Sequence, residues 1–171
     1  QTGKNSQLFW GATNDAAKKY ADVTIEGDVT VGADDANAGF LIRADRQQSG
    51  PDLNGYFANV RKLRGEASSA VQRYRLPDVV LLQEARVRGT AKIGAPIHLK
   101  VTCRGKSIWV WASDANDKTP ALTEYDDRHL SAGFVGLKSE NNQATFDNIV
   151  VSTGGEAPRP PLVSGWSRIK N

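Results

Sequence analysis

Cysteine and histidine are scarce in this chain of 171 residues, which holds one cysteine and two histidines. A single cysteine excludes an internal disulfide framework, and with only two histidines it also excludes the common Cys/His zinc sites. No apolar run approaches the ~18 residues that a membrane-spanning helix needs, so we predict no membrane partner. The length predicts a single domain that is large enough to bury a core of its own.

Catalytic sequence motifs are also missing. The chain has no Gly-x-Ser-x-Gly nucleophile elbow, no His-Glu-x-x-His metal motif and no phosphate-binding loop. His98 falls on the polar side of a predicted strand, and Cys103 falls on the apolar side of the same strand. We interpret them as a surface histidine and a small core residue. These absences favour a binding module over an enzyme.

Charges of both signs are mixed along the chain. The 22 basic and 19 acidic residues give a net charge of +3, and the densest basic stretch is 61–64. Interspersed charge is typical of a solvated surface, whereas a nucleic-acid-binding domain carries a basic patch or stripe. We therefore predict no nucleic-acid partner.

Short segments of alternating polarity make up most of the chain. In 22–31, valine and isoleucine side chains alternate with polar ones, which is the period-two pattern of a half-buried strand. Further strands are predicted at 39–45, 56–60, 79–87, 97–103, 107–113, 131–138 and 145–152. The one helix candidate, 14–20, is too short to be stable alone. The polar segment 61–78 fits either a loop or a hairpin.

This pattern predicts an all-β fold. Many short strands with turn signals and almost no helix indicate a two-sheet antiparallel β-sandwich of the jelly-roll type. We predict that 1–153 forms the sandwich domain. The remaining 154–171 begins with a Gly/Pro-rich run and is predicted to be an extended, linker-like tail.

The outward sides of the predicted strands carry polar and aromatic side chains. Glu26 and Arg43 lie on the outward sides of consecutive strands, so they share a face if those strands pair. A carboxylate beside a guanidinium suits a sugar diol, but it also fits a simple cross-strand salt bridge. Trp109 and Trp111 lie opposite an aliphatic set, where an exposed indole can stack on a sugar ring. Tyr56 begins its strand after a glycine and could bind in the same way.

Paired carboxylates leave an enzymatic alternative open. A glycosidase needs two carboxyl groups beside the glycosidic bond, ~5–10 Å apart. Four acidic residues are candidates by position: Glu26, Asp28, Glu84 and Asp127. The chain lacks the tight acidic cluster usual in sandwich glycosidases, and these carboxylates fit equally as partners of arginines.

Several segments, taken in chain order, carry a family resemblance. They are 21–29, 38–43, 55–57, 97–101, 108–111, 131–138 and 144–149. Over 20–152 the chain resembles the laminin-G-like, concanavalin-type jelly rolls of bacterial polysaccharide enzymes. It is most similar in pattern to the fructan (levan)-binding carbohydrate-binding modules appended to levanases and related fructosidases. Related domains occur in a keto-sugar hydrolase family and in pentraxin-like adhesion proteins.

The resemblance implies a secreted, monomeric and non-catalytic module that binds the terminal sugar of a polysaccharide such as levan or inulin. It implies that the module directs an appended glycoside hydrolase to this ligand. By matching positions it implies the ligand-binding residues Glu26, Arg43, Tyr56, Trp111 and Asp127, to which strand facing adds Glu84. Such jelly rolls often hold a structural calcium ion, for which Asp147 is the candidate ligand, but Asp147 also fits a residue that ties a loop to the end of its strand. The alternatives are a small hydrolase or lyase on the same fold and a protein-binding adhesion domain.

Overall fold

The computed structural model describes residues 5–9, 19–33, 36–45, 54–63, 66–75, 78–86, 94–114, 121–126, 130–140 and 144–153. In this part of the chain the regular structure consists of eleven β-strands. The strands are β1 (Asn5–Phe9), β2 (Val23–Val31), β3 (Asn37–Ala44), β4 (Asn54–Leu63), β5 (Glu66–Arg75), β6 (Asp78–Arg86), β7 (Pro96–Arg104), β8 (Ser107–Asp114), β9 (Ala121–Asp126), β10 (Phe134–Glu140) and β11 (Ala144–Ser152). Within these ranges, no helix is long and apolar enough to cross a membrane.

The strands form two sheets. One has the order β1-β10-β3-β4-β5-β6 and the other the order β11-β2-β7-β8-β9. Every neighbouring pair in both sheets is antiparallel. The predicted all-β, two-sheet antiparallel sandwich is therefore confirmed. β2 and β3 follow each other in the chain but belong to different sheets, so the chain crosses the sandwich between them.

The inward sides of the two sheets form the hydrophobic core. Burial on β2 alternates residue by residue, as the period-two pattern predicts. Core members include Val23, Ile25, Val29, Phe40, Ile42, Val60, Ile97, Leu99, Val101, Ile108 and Val110. Cys103 is also in this core, and burial raises the pKa of its thiol to about 12. It is therefore a small core residue and not a reactive thiol, as predicted.

The polar segment 61–78 is largely a hairpin. β4 and β5 pair along their whole length, from Asn54 opposite Arg75 to Leu63 opposite Glu66. The strands β1 and β9 were not predicted from alternation, and β10 begins at Phe134, later than expected. Most of the helix candidate 14–20 and all of the tail 154–171 lie outside the described residues.

A buried arginine ties one end of the sandwich together. Arg43 lies at an irregularity in the pairing of β3 with β10 and has a φ of +50°, which is rare for a bulky residue. Its guanidinium donates hydrogen bonds to the carbonyl oxygens of Leu130 at 3.0 Å, Ala21 at 3.1 Å and Gly105 at 2.6 Å. These carbonyls precede β10, precede β2 and sit in the β7–β8 turn. One side chain thus links three separate segments.

Candidate functional site

The structure brings three of the predicted site residues to one side of the five-stranded sheet. One strand, β7, separates Glu26 on β2 from Trp111 on β8, and both residues pair with its Lys100. Asp147 lies on the neighbouring edge strand, opposite Asp28 of β2. Neighbouring strands are ~4.8 Å apart, so Glu26 and Trp111 are about 10 Å apart at their Cα atoms.

The predicted pairing of Glu26 with Arg43 is wrong. β2 pairs with β11 and β7, whereas β3 pairs with β10 and β4 in the other sheet. The pairing irregularity in β3 sends the Arg43 guanidinium into the interior, where backbone carbonyls surround it. Tyr56 is also fully buried and belongs to the core. The prediction that these two side chains line an exposed surface with Glu26 is therefore wrong as well.

Glu84 lies on the opposite side of the molecule. It projects from β6 in the six-stranded sheet, where Ser68 donates a hydrogen bond to its carboxylate and Arg61 lies 3.8 Å away. Glu26 and Glu84 point away from each other across the sandwich, so they cannot act as a carboxylate pair on one glycosidic bond. Asp127 lies outside the described residues, so its predicted role stays a prediction.

The outward side of the five-stranded sheet is a polar and aromatic surface, which we call the Glu26 face. Its described members are Thr24, Glu26, Asp28, Thr30, His98, Lys100, Thr102, Trp109, Trp111 and Ser113. Eight of these residues are half-buried, His98 is exposed and Thr102 is buried, so most of the face is in contact with solvent. The Glu26 face therefore presents polar and aromatic groups that a ligand could contact.

Hydrogen bonds and ion pairs hold the charged groups of the Glu26 face in place. Lys100 Nζ lies 3.0 Å from Glu26 Oε2. His98 Nδ1 lies 3.0 Å from Asp28 Oδ1, and its Nε2 lies 3.8 Å from Glu26 Oε2. Asn148 Nδ2 donates to Asp28 Oδ2 at 2.7 Å. Both carboxylates are thus fixed before any ligand arrives.

Asn148 reaches the Glu26 face because β11 contains a bulge. The register of β11 against β2 shifts between Asp147 and Val150, and Asn148 has a φ of +53°, a region that asparagine tolerates better than most residues. Gly27 lies opposite the bulge, and a Cβ there would collide with Ile149 Cδ1 and the Asp147 carbonyl oxygen. Glycine at 27 therefore permits the bulge that turns Asn148 toward Asp28.

The hydrogen bonds to Asp28 give the fold a pH dependence. The bonds from Asn148 and from His98 lower the pKa of the Asp28 carboxyl below its ordinary value of 3.8. Between the folded and the unfolded pKa, the unfolded chain binds more protons, so stability rises with pH across this window and is lost as pH falls through the folded pKa.

We expect Asp28→Asn to flatten this dependence. The neutral amide cannot titrate, so stability should change less than in the wild type as pH falls below about 4. Urea unfolding from about pH 5 to about pH 2 measures the difference. Equal slopes for the wild type and Asp28→Asn would show that this carboxyl carries no such linkage.

Asp147 remains only a candidate metal ligand. Its carboxylate accepts a hydrogen bond from the backbone N–H of Asn148 at 2.8 Å. In the described part of the chain, no group of three or more histidine, cysteine, aspartate or glutamate side chains could hold a metal ion. Calcium takes six to eight oxygen ligands, so Asp147 would need many further donors. The calcium ion therefore stays a prediction.

Sequence reasoning missed three members of this network: His98, Lys100 and Asn148. The first two alternate with Ile97 and Leu99, so periodicity alone puts them on the polar side of β7. What was missing was the pairing of β2 with β7, which makes them neighbours of Glu26 and Asp28. Asn148 carried no usable signal, because a bulge changes which way a residue faces.

A family model matches residues 6–152, which is most of the chain. The family is described as the 3-keto-alpha-glucoside-1,2-lyase-like domain. The chain belongs to this family. The comparison with curated proteins found no match.

Solved structures share the fold of this lyase-like domain. The carbohydrate-binding module CBM66 from Bacillus subtilis has a TM-score of 0.70 and 19% identity, over 90% of this chain and 84% of that one. A protein of unknown function with a galectin-like fold from Bacillus subtilis has a TM-score of 0.58 and 13% identity, over 81% of this chain and 75% of that one. The alginate lyase from Klebsiella pneumoniae has a TM-score of 0.53 and 15% identity, over 80% and 61%. At these identities the likeness shows the fold alone.

Proposed function

We propose that this lyase-like domain is a non-catalytic module that binds the terminal sugar of a fructan at the Glu26 face. The observation that carries the proposal is the cross-strand row of Glu26, Lys100 and Trp111, with Trp109 two residues from Trp111 on the same strand. The indoles offer apolar planes to the C–H side of a sugar ring. The carboxylate accepts hydrogen bonds from sugar hydroxyls, and the ammonium group donates to them.

The charged pair in this row is both preorganised and accessible. The side chains of Lys100 and Glu26 are 38% and 31% exposed, so neither is sealed off by the ion pair. Side chains that are already ordered lose less conformational entropy when a ligand binds. This arrangement replaces the Arg43 and Tyr56 contacts that the resemblance implied, since both of those side chains are buried.

The proposal extends to the setting of the module. A single small site on an open sheet face binds weakly on its own, and tethering it beside a catalytic domain raises its effective concentration near the polysaccharide. We therefore propose that the domain is secreted and that it directs an appended glycoside hydrolase to fructan. The fold shared with a carbohydrate-binding module supports this reading.

Glu26→Gln tests the site assignment. Isothermal titration against levan, inulin, β-glucan and xylan should give heat with the two fructans. The variant should bind fructan about tenfold more weakly, a loss of ~1.4 kcal/mol, because an amide accepts fewer hydrogen bonds and does not pair with Lys100. Lys106→Gln, which removes an exposed charge in the β7–β8 turn, should bind as the wild type does.

The outcomes distinguish a wrong function from a wrong binding site. If none of the four glycans gives heat, the saccharide-binding function is rejected. If fructan binds and Glu26→Gln binds equally well, the function stands but the Glu26 face is not the site.

A second candidate function is a small hydrolase or lyase that works on the same face. The observation in its favour is the contact of His98 Nδ1 with Asp28, because a carboxylate on one ring nitrogen orients the other toward a substrate. His98 Nε2 then points toward solvent near Glu26. In this alternative His98 is the general base, so the reaction does not need Glu26 and Glu84, which lie on opposite faces, to act as a pair.

Product release decides between the two candidates. The chain is incubated with levan, inulin and 3-keto glucosides, and reducing ends and free sugars are measured. Turnover that is lost in both His98→Ala and Asp28→Asn would establish the enzyme. Binding without turnover supports the non-catalytic module.

A further inference from the structure

His98 on the Glu26 face belongs to the residue type whose charge ordinarily changes between about pH 5 and about pH 8. Its side chain is 49% exposed, so it can exchange protons with solvent. The ring lies against two carboxylates of the neighbouring strand β2. Nδ1 is 3.0 Å from Asp28 Oδ1, and Nε2 is 3.8 Å from Glu26 Oε2. A single titratable ring therefore lies between Asp28 and Glu26.

The contact with Asp28 fixes which ring nitrogen carries the proton in neutral His98. Hydrogen bonds from Asn148 and His98 lower the pKa of the Asp28 carboxyl, so it is ionised at neutral pH and can only accept hydrogen bonds. Nδ1 lies at hydrogen-bond distance from Asp28 Oδ1, so Nδ1 must be the protonated nitrogen. Nε2 then carries a lone pair and cannot donate to Glu26.

Among the described residues, the Glu26 carboxylate has one charged partner while His98 is neutral. Lys100 Nζ lies 3.0 Å from Oε2, whereas His98 Nε2 is 3.8 Å from the same oxygen, which is too long for a hydrogen bond. Both contacts are made to Oε2, so Oε1 is left to accept a hydrogen bond from a ligand hydroxyl.

Protonation of His98 changes the surroundings of this carboxylate. A second proton on the ring makes Nε2 a charged donor that faces Glu26 Oε2. A movement of about 1 Å would bring these two atoms to ~2.8 Å, the length of a charge-assisted hydrogen bond. The carboxylate would then lie between two cations, Lys100 and His98, and would offer less acceptor capacity to a ligand.

The described surroundings of His98 contain no other group that ordinarily titrates in this range. On β8 its neighbours are Ser113 and, diagonally, Trp111, and neither is charged. Lys100 is two residues along β7, and lysine and carboxylate side chains ordinarily keep their charges from about pH 5 to about pH 8. Asp147 lies beyond Asp28 on β11, about 10 Å from His98 at the Cα atoms.

We propose that His98 is a pH switch for ligand binding at the Glu26 face: the neutral ring leaves the Glu26 carboxylate available to the sugar, and the protonated ring captures it. The inference rests on the proposed function, because it concerns the regulation of the same site. Affinity should fall by at least about fivefold between about pH 8 and about pH 5, at the lower end of typical coupling between two sites. Coupling is reciprocal, so bound ligand should move the titration of the His98 ring to lower pH.

The test measures affinity for levan oligosaccharides by isothermal titration at about pH 8 and about pH 5, and follows the His98 ring signals of the full chain by NMR. His98→Asn keeps an amide donor for Asp28 but has no titrating charge, so it should bind equally at both pH values. His98→Arg is charged throughout and should bind at the higher pH as weakly as the wild type binds at the lower one. His129→Asn removes the other histidine of the chain and should keep the wild-type loss.

Three results would overturn the switch: equal wild-type affinity at the two pH values, tighter binding at the lower one, or a loss that persists in His98→Asn. Urea unfolding at both pH values checks that a loss of affinity is not acid unfolding.

Failure of the proposed function gives a different result, because fructan then produces no heat at either pH. The ligand-free chain still decides the switch in that case. Between about pH 8 and about pH 5, the ¹³C signal of the Glu26 carboxyl should titrate together with the His98 ring in the wild type and not in His98→Asn. A Glu26 signal that does not follow the His98 ring would overturn the switch.

Discussion

Arg43→Met is expected to destabilise the domain by about 3–6 kcal/mol. The substitution removes the charged donor of three part-buried hydrogen bonds. A hydrogen bond to a charged group contributes roughly 1.5–3 kcal/mol, and the carbonyls of the exposed residues Ala21 and Gly105 recover part of this by binding water. Native domains are stable by only about 5–15 kcal/mol, so this loss would unfold a large share of the molecules on mild heating. Urea unfolding measures it as a lower midpoint with an unchanged slope.

Two further variants test whether the loss of stability comes from the three hydrogen bonds of the Arg43 guanidinium. Arg43→Lys keeps the positive charge, but a compact ammonium group does not span three carbonyls as a planar guanidinium does, so its stability should be intermediate. Arg104→Met removes an exposed arginine and should cost less than about 0.5 kcal/mol. A loss in Arg43→Met no larger than the loss in Arg104→Met would contradict the role assigned to Arg43.

Trp111→Ala is expected to weaken fructan binding more than any other single change on the Glu26 face. The indole is half-buried beside Lys100, so its free side is available for stacking, and removing it takes away an apolar plane of the face. We expect a loss of at least about tenfold in affinity, or ~1.4 kcal/mol. Isothermal titration with levan measures it.

Trp111→Phe is the matched variant. It keeps an aromatic plane and removes the indole N–H, so it should retain more of the affinity than alanine does. Unfolding in urea checks that both variants remain folded. Equal affinity for the wild type and Trp111→Ala would show that the sugar does not stack on this residue.

Much of the fold can be predicted from alternation in the sequence. The apolar residues of β2, β7 and β8 occur at every second position, and each of these strands has the inward side that the pattern predicts. For the same reason, the pattern alone places Cys103 in the core and Trp111 on the outward side. Periodicity thus predicts which way a side chain faces.

Periodicity does not predict which strand is the neighbour. Glu26 and Arg43 are close in the chain, and short connections often join paired strands, but the chain crosses from one sheet to the other after β2. The charged neighbours of Glu26, His98 and Lys100, come from β7, about 75 residues further along the chain. Such long-range pairing leaves no local signal, so the Lys100 contact was not predictable.

Bulges limit the prediction in a different way. Arg43 and Asn148 both have positive φ values at irregular positions of a strand, and each therefore faces a direction that strict alternation does not give. Arg43 turns inward to carbonyl groups, and Asn148 turns onto the Glu26 face. Arg43 links three segments at one end of the sandwich, and Asn148 donates a hydrogen bond to Asp28. Neither role can be inferred from spacing.

The indole N–H signals of Trp109 and Trp111 test most directly the proposal that fructan binds at the Glu26 face. A levan titration of the ¹⁵N-labelled chain is followed by NMR, with the two signals assigned from single Trp→Phe variants. We predict that both signals shift and saturate at the affinity that calorimetry measures. If calorimetry detects fructan binding while both indole signals stay unmoved, the sugar binds elsewhere and the Glu26 face is not the site.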